Sequence, residues 1–342
     1  MSRQPHPLVT LAQLVNTPSA QDGIPKEVED DLRVVGCMMI QEAGIMLDLP
    51  QSTMAIAQVI FHRFFFVSSM CSFGIQDISI SSLYLSTKLN ETPIRLRDLI
   101  NTYMFLAART EHLLSFPADK ALPIDSPGPS SMRYSMGMDG KGKGKERARE
   151  KVFEGMVWEV PGFHDEVFWD WKDSIVGNEM QILKRLGFNM QVDLPYNHAI
   201  NYLKILDLVF EPNVAQTTWS ILNDLLLSPV YAIHPAYVLA CASILLTTRL
   251  LRIPLPSEWY LLFDVELDDI LGVAGWAMRL WHDWGIGPVV GGKDGEGQAG
   301  RREKENRWRR GWVLGQGKRA VRRWVGERER AAREDVGQAA AL

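Results

Sequence analysis

The stretch Ser81-Ser-Leu-Tyr-Leu-Ser-Thr-Lys-Leu-Asn-Glu-Thr-Pro93 decides the fold, because it returns in altered form as Ala242-Ser-Ile-Leu-Leu-Thr-Thr-Arg-Leu-Leu-Arg-Ile-Pro254. The offset is 161 residues, five of the thirteen positions are identical, and Lys88 corresponds to Arg249. Both copies are apolar and end at a proline, which a helix rarely passes. We interpret them as two helices of an internal repeat. A chance similarity between two apolar helices is the alternative.

Each copy also has a stripe of small side chains on one helical face. The stripes are Ser79, Ser82 and Ser86 in the first copy, and Ala236, Ala240, Ser243 and Thr247 in the second. Small side chains allow neighbouring helices to pack closely. We therefore expect each copy to be the central helix of its own domain, at residues 73–89 and 234–250.

The remaining sequence predicts an all-α protein, because apolar residues recur every three or four positions and strand signals are scarce. Thr92 and Pro93 are expected to begin one helix, and Gly187 to end another. The predicted apolar stripes are Leu32, Val35, Met39 and Ala43; Met54, Ala57, Phe61 and Phe64; Leu96, Leu99, Ile100, Tyr103 and Ala107; Val176, Met180, Leu183 and Leu186; Ile200, Leu203 and Phe210; and Val214, Thr218, Ile221 and Leu225.

Two segments differ in composition from these helices. Residues 115–161 contain Pro, Gly and Ser clusters and an alternating Gly-Lys run, which predict a solvated, disordered insertion. Residues 285–342 are rich in Gly and Arg and have a net charge of +6, against −10 for residues 1–284. We expect this basic tail to have a separate role and to be partly folded, with weak nucleic-acid binding through its Trp residues as an alternative.

Composition and motifs argue against several classes of protein. The chain is 46% hydrophobic, which excludes disorder throughout, and we expect neither a signal peptide nor a membrane-spanning run. Cys37, Cys71 and Cys241 lie in apolar surroundings and are expected to be buried thiols in an intracellular protein. The seven histidines lack metal-ligand spacing, and no nucleophile elbow, phosphate loop or kinase signature occurs. We expect a soluble interaction protein, not an enzyme, with no cofactor, metal or small-molecule ligand.

Several motifs closely resemble the first cyclin box of L-type cyclins, and shorter ones resemble the second box. The first set is Gly23-Ile-Pro25, Glu29-x-x-Leu32-Arg33-Val-x-Gly36-Cys37, Ile40-Gln-Glu-Ala-Gly44, Leu49-Pro50-Gln51, Ala57-Gln-Val-Ile-Phe-His62-Arg63-Phe-Phe65, Ser86-Thr87-Lys88-Leu-Asn-Glu91-Thr-Pro93-x-Arg95-x-Arg97-Asp98-x-Ile100 and Glu179-x-x-Ile182-Leu183-Lys-x-Leu186-Gly187-Phe188. The second set is Tyr202-Leu203, Trp219-x-x-Leu222-Asn223-Asp224, Ala240-Cys241-Ala242 and Ile253-Pro-Leu-Pro256.

The resemblance implies two consecutive five-helix cyclin-box domains. With the insertion and tail, the predicted division is an N-terminal arm at 1–20, a first box at 21–190, a second box at 191–284 and the basic tail at 285–342. The resemblance also implies that the protein is a nuclear regulatory subunit, which binds a cyclin-dependent Ser/Thr kinase in RNA polymerase II transcription or RNA processing. The kinase would be of the PITSLRE type or one that acts on the polymerase C-terminal repeat.

The family's kinase contacts correspond to five residues of this sequence. They are Lys88 and Glu179, with Leu85, Leu89 and Leu183 as apolar neighbours. Glu179 also interrupts an apolar stripe, where an unpaired carboxylate would be costly. The alternative interpretation is that Lys88 and Glu179 are solvated surface charges.

Two departures from the family pattern affect the choice of function. Asn90 stands where the family usually has the first of two acidic residues, and the Arg-rich tail lacks Arg-Ser repeats. The missing charge at Asn90 is expected to weaken kinase binding or change the choice of kinase, and the lack of Arg-Ser repeats favours transcription over splicing. Two alternatives remain: a general transcription factor with the same double fold, as in transcription factor IIB, or a cyclin-fold scaffold that activates no kinase. The acidic body argues against duplex binding.

Overall fold

The structure, a computed structural model, describes residues 8–115, 156, 158, 160, 162, 165–285 and 298–340. Its elements in this part of the chain are helical, as the all-α prediction requires. In chain order they are α1 (Leu11–Val15), α2 (Pro18–Gln21), α3 (Lys26–Met46), α4 (Gln51–Val67), α5 (Ile75–Leu89), α6 (Leu96–Leu114), α7 (Glu166–Arg185), α8 (Tyr196–Ile205), α9 (Val214–Leu225), α10 (Val230–Ile233), α11 (Ala236–Leu251), a 3₁₀ helix (Trp259–Phe263), α12 (Leu267–Trp284), α13 (Gln298–Gly315) and α14 (Lys318–Ala340).

The first domain is built from α3 to α7 around the central helix α5. Helix α5 packs against α3, α4, α6 and α7, and its small-residue stripe, Ser79, Ser82 and Ser86, is fully buried. The predicted stripes of α3 and α4 are also buried in this core. The expected central position of α5 is therefore confirmed.

The second domain repeats this plan around α11. Helix α11 packs against α8, α9 and α12, and its stripe from Ala236 to Thr247 is buried. A five-residue 3₁₀ helix takes the place of a long fourth helix, and the short α10 lies between α9 and α11. The second central helix is confirmed as well.

The two central helices end in the same backbone turn. Glu91 and Arg252, which correspond in the repeat, are left-handed, with φ of 54° and 58°. The N–H that follows each one donates back across the turn, from Thr92 to the Thr87 carbonyl at 2.9 Å and from Ile253 to the Thr248 carbonyl at 2.8 Å. Such hydrogen bonds satisfy carbonyl groups at the end of a helix. The internal repeat is thus a structural repeat.

Helix α4 joins the two domains. Most of its buried residues belong to the first core, but Ala55 and Val59 pack in the second. The His62 ring Nε2 lies 3.0 Å from the Leu226 carbonyl of the second domain. Most residues of the second core follow α7, but Leu227 and Leu280 pack in the first core. The division into domains stays a prediction.

The basic tail is not a loosely attached segment where the structure describes it. Helices α13 and α14 pack on the first domain, where Trp308, Trp312 and Val321 are buried in its core. The sequence predicted only a partly folded tail, and the part at 298–340 is helical and, through α13 and the start of α14, packed on the first domain. The tail sequence was not recognised as an amphipathic helix, because its many basic side chains dominate the composition and make the apolar positions between them less evident.

Three details of the sequence prediction are wrong. Helix α6 begins at Leu96 with Arg95 as its N-cap, and the Thr92 hydroxyl lies 3.1 Å from the Thr53 hydroxyl instead of capping a helix. Phe210 is exposed rather than buried. Cys37 and Cys241 are buried, but Cys71 is partly exposed.

Two predictions concern other parts of the chain. Gly187 does end α7, with a positive φ of 60°. The insertion at 115–161 lies almost entirely outside the described residues. Within the described residues, we find no helix with the length and hydropathy needed to span a membrane.

Candidate partner-binding surface

Two predicted site residues meet at the end of the first central helix. Lys88 is in the last turn of α5, and Glu179 is in the middle of α7, which packs across α5. Ile175 and Ile182 of α7 are buried in the first core, which fixes the face that α7 turns towards α5. The position of Glu179 beside Lys88 therefore follows from the packing of α7.

The two side chains form an ion pair that remains accessible to solvent. The Lys88 ammonium lies 2.6 Å and 2.8 Å from the two carboxylate oxygens of Glu179 and 4.1 Å from the centre of the Tyr84 ring. The Lys88 side chain is 46% exposed and that of Glu179 13%. The carboxylate and the aromatic ring hold the ammonium in one position, while part of it still faces solvent.

Exposed apolar side chains surround this ion pair. Leu89 is 44% exposed, and Val176 and Met180, on the same helix as Glu179, are 50% and 46% exposed. Leu183 is partly buried. An apolar patch around a charged pair is typical of a protein-binding surface. We define the α5–α7 surface as Lys88, Leu89, Val176, Glu179, Met180 and Leu183.

The structure also corrects the predicted role of the α7 stripe. Val176 and Met180 were predicted to face the core, but Phe168, Ile175 and Ile182 do so instead. Glu179 lies in the middle of the apolar stripe, which was the available signal that the stripe faces outward. Leu85, a predicted contact, is buried in the first core and lies beneath the α5–α7 surface.

Phe188 is an exposed apolar residue that was not among the predicted kinase contacts. It follows α7 with a left-handed backbone, φ 61°, and its side chain is 66% exposed. Its N–H donates to the Leu183 carbonyl at 2.8 Å, so the residue is held against the end of α7. Phe188 therefore adds an apolar group beyond the α5–α7 surface.

Asn90, the departure from the family pattern, serves an internal role. Its amide donates hydrogen bonds to the Ser52 hydroxyl at 3.0 Å and to the Thr53 hydroxyl at 2.7 Å, in the first turn of α4. An Asp at this position could accept hydrogen bonds from these hydroxyls but not donate to them. Asn90 therefore connects α5 to α4.

The described residues contain no group of His, Cys, Asp and Glu side chains arranged to hold a metal ion. The most perturbed buried histidine is His62, whose pKa burial lowers to about 3. Its Nε2 faces the Leu226 carbonyl, and its Nδ1 has no hydrogen-bond partner. His62 is therefore a neutral core residue.

Comparisons with known proteins agree with this architecture. Residues 10–117 match the family model "Cyclin, N-terminal domain". The chain is 33% identical to human Cyclin-L2 over 256 residues, 74% of this chain and 41% of that protein. It is 32% identical to zebrafish (Danio rerio) Cyclin-L1 over 271 residues, 79% of this chain and 45% of that protein. The chain thus spans less than half the length of these relatives.

A solved structure shares the fold. A chain of the yeast RNA polymerase II CTD kinase CTDK-1 complex superposes with a TM-score of 0.54 and 14% identity, covering 81% of this chain and 73% of that one. At this identity the likeness concerns the fold alone. The family-model match and the sequence matches lead to one conclusion: the first domain matches the cyclin N-terminal domain, and the chain as a whole is similar to cyclins of the L type.

Proposed function

We propose that the protein is a regulatory subunit, not itself an enzyme, that binds and activates a cyclin-dependent Ser/Thr kinase through the α5–α7 surface. The observation that carries this proposal is the Lys88–Glu179 ion pair, held in place and ringed by exposed apolar side chains. A surface ion pair alone would be weak support, because such pairs contribute little to stability. Its apolar surroundings favour a role in binding.

The proposed mechanism follows from the chemistry of this surface. A helix of the kinase would cover Leu89, Val176 and Met180, while Lys88 and Glu179 would bond to polar groups at its end. Covering the ion pair removes water from it, which strengthens its interactions and penalises a partner that lacks matching groups. A kinase is active when its αC helix is placed so that the catalytic Lys–Glu pair can form. If the αC helix is the helix bound to the α5–α7 surface, it would stay in the position that allows the catalytic Lys–Glu pair to form.

The kinase and its pathway are part of the same proposal. The resemblance to L-type cyclins supports a PITSLRE-type kinase or one that phosphorylates the polymerase II C-terminal repeat, in transcription or RNA processing in the nucleus. The name of the fold neighbour, a CTD kinase complex, points in the same direction.

The test is a pull-down and activity assay with the full chain. Lys88→Ala with Glu179→Ala should lower kinase binding by at least about tenfold, since loss of a desolvated charged contact costs about 2–5 kcal/mol. Arg249→Ala with Glu258→Ala is the matched control, because it removes one exposed cation and one exposed acid from the second domain. Binding and activation by this control should equal those of the wild type.

The outcomes separate the competing functions. A kinase that co-purifies but is not activated would indicate a scaffold, and recovery of general transcription machinery without a kinase would indicate a transcription factor. A double variant that activates fully would exclude the ion pair from the interface. Thermal melting of each variant checks that it remains folded.

A further inference from the structure

The tail helices are fixed to the first domain by close packing. Trp312 is 1% exposed in the first core, and Gly311 and Gly315 lie directly over Val35 of α3. A Cβ at Gly311 would lie 2.9 Å from the nearest Val35 methyl, and one at Gly315 3.1 Å from the other. Only a residue without a side chain allows α13 to approach α3 so closely.

Ion pairs reinforce this attachment. Arg310 and Arg307 reach the Asp31 carboxylate of α3 at 2.7 Å and 3.2 Å, and the Asp31 side chain is 1% exposed. Helix α14 continues from α13 and buries Val321 in the same core. The helix backbone that carries the cations of its outer side is therefore fixed on the body of the protein.

Three arginines lie along one side of α14. Arg319, Arg322 and Arg323 are spaced at i, i+3 and i+4, and all three are exposed. Among the residues that the structure describes, no ion pair joins them to a carboxylate. Lys318 is different, because Asp77 of α5 lies close to it and offsets its charge. We therefore leave Lys318 out of the site.

A fourth arginine comes from α7, against the loop that Arg322 also contacts. The Arg322 Nε donates to the Cys71 carbonyl at 2.6 Å, which leaves the two terminal nitrogens of its guanidinium group available. The Arg185 guanidinium lies 4.8 Å from the centre of the Phe73 ring, which packs edge-on against the buried Phe64. Both guanidinium groups are thus held in place by contacts that do not neutralise them.

We propose that Arg185, Arg319, Arg322 and Arg323 form a binding site for a phosphorylated peptide segment of another protein. Arginine binds phosphate through a planar pair of N–H donors, and pre-positioned guanidinium groups lose little freedom on binding. The site is short and bordered by acidic groups, Asp22 beside Cys71 and Asp77 beside Lys318. Residues 1–284 have a net charge of −10, so a long nucleic acid would be repelled beyond the site. A single phosphorylated residue fits these limits.

The experiment offers the immobilised full chain three pools of decapeptides that differ only in the central residue: phosphothreonine, Glu or Thr, with flanks free of acidic residues. The phosphothreonine pool should be retained about tenfold more than the Thr pool, and more than the Glu pool. Arg185→Ala with Arg322→Ala should reduce its retention to that of the Thr pool. Arg330→Ala with Arg333→Ala, which removes two charges further along α14, is the control and should retain it fully.

Several results would overturn the proposal. Equal loss in the control variant would mean that retention reflects general charge, and equal retention of the Glu pool would mean that phosphate is not recognised. Polyuridine RNA of 20 nucleotides is offered in competition, and tighter binding of it at the same arginines would make this a nucleic-acid site. Should the alanine pair unfold, Arg185→Lys with Arg322→Lys keeps both charges without the planar donors. Unchanged preference of that variant for phosphothreonine over Glu would contradict the proposal.

Discussion

The two domains are built around the same central helix but bury different polar groups. The first domain buries Glu29, Arg33 and His62, whereas the described polar residues buried in the second, from Thr218 to Thr248, are all Ser or Thr. The helix ends differ in the same way. Lys88 pairs with Glu179, but no ion pair among the described residues involves its counterpart Arg249. The repeat therefore accounts for the shared architecture, and buried and paired charged groups distinguish the first domain from the second.

The largest effect expected from this difference concerns the buried ion pair of α3. Arg33 lies 2.7 Å from Glu29, both side chains are fully buried, and Arg33 also donates to the His62 and Phe65 carbonyls at 3.0 Å. Arg33→Leu removes the buried cation that pairs with Glu29, whose carboxylate keeps only the Thr17 hydroxyl as a donor, and also removes a donor from two carbonyls. We therefore expect a loss of about 3–5 kcal/mol in unfolding free energy. Urea denaturation measures this loss. Arg249→Leu, at an exposed position of the second domain, should have no comparable effect.

A second prediction tests the equivalence of the two central helices. Ser82 and Ser243 correspond in the repeat and are both fully buried. Leucine at either position would force neighbouring helices apart, with a loss of about 1–3 kcal/mol. Ser82→Leu and Ser243→Leu, compared by urea denaturation, should cost similar amounts. A large effect at only one position would show that the two helices are not equally central.

A third prediction concerns the pH dependence of the first domain. The pKa of His62 falls from 6.5 to about 3 because the ring is buried. In the unfolded chain the His62 ring takes up a proton near pH 6.5, whereas in the folded chain it does so only near pH 3. The unfolding free energy therefore decreases as the pH is lowered through this range. Between pH 7 and 5 the loss amounts to about 2 kcal/mol.

The histidine can be separated from the carboxyl groups by substitution. His62→Gln should have a flatter dependence of unfolding free energy on pH between 7 and 5, because glutamine does not titrate. The Gln amide can also donate to the Leu226 carbonyl, as Nε2 does. A slope equal to that of the wild type would mean that other groups cause the pH dependence.

The smallest effect is expected for the ion pair of the α5–α7 surface in the free protein. Lys88 is about half exposed, and surface ion pairs contribute about 0–1 kcal/mol. Lys88→Ala should therefore change the unfolding free energy by less than about 1 kcal/mol while kinase binding falls. A stability loss well above this value would make the ion pair an internal brace of the first domain.

Sequence reasoning succeeded where local chemistry and packing agree. The internal repeat located both central helices, since small residues at helical spacing leave few other arrangements. The choice of Lys88 and Glu179 came from family resemblance, and their separation of 91 positions gave no local signal of their contact. Val176 and Met180 were assigned to the core because periodicity identifies an apolar face but not what covers it.

The tail shows the other limit of sequence reasoning. Gly311 and Gly315 are needed only because α13 crosses α3 closely, and that crossing is a property of the folded chain. Asp31 is one of several acidic residues at the start of α3, and nothing nearby indicated that its partners Arg307 and Arg310 come from the far end of the sequence. Long-range partners of this kind are visible only in the structure.

The contact between α3 and α13 has a consequence for synthesis on the ribosome. Asp31 and Arg307 are 276 residues apart, so α3 leaves the ribosome long before the helix that covers it exists. Ala55 and Val59, which pack in the second core, likewise stay uncovered until the second domain has been synthesised. During this interval the nascent first domain presents uncovered apolar surface, which favours aggregation and binding by chaperones. The helices synthesised first are thus covered only by helices synthesised last. The yield of folded protein therefore depends on how well aggregation of the uncovered first domain is prevented in the meantime.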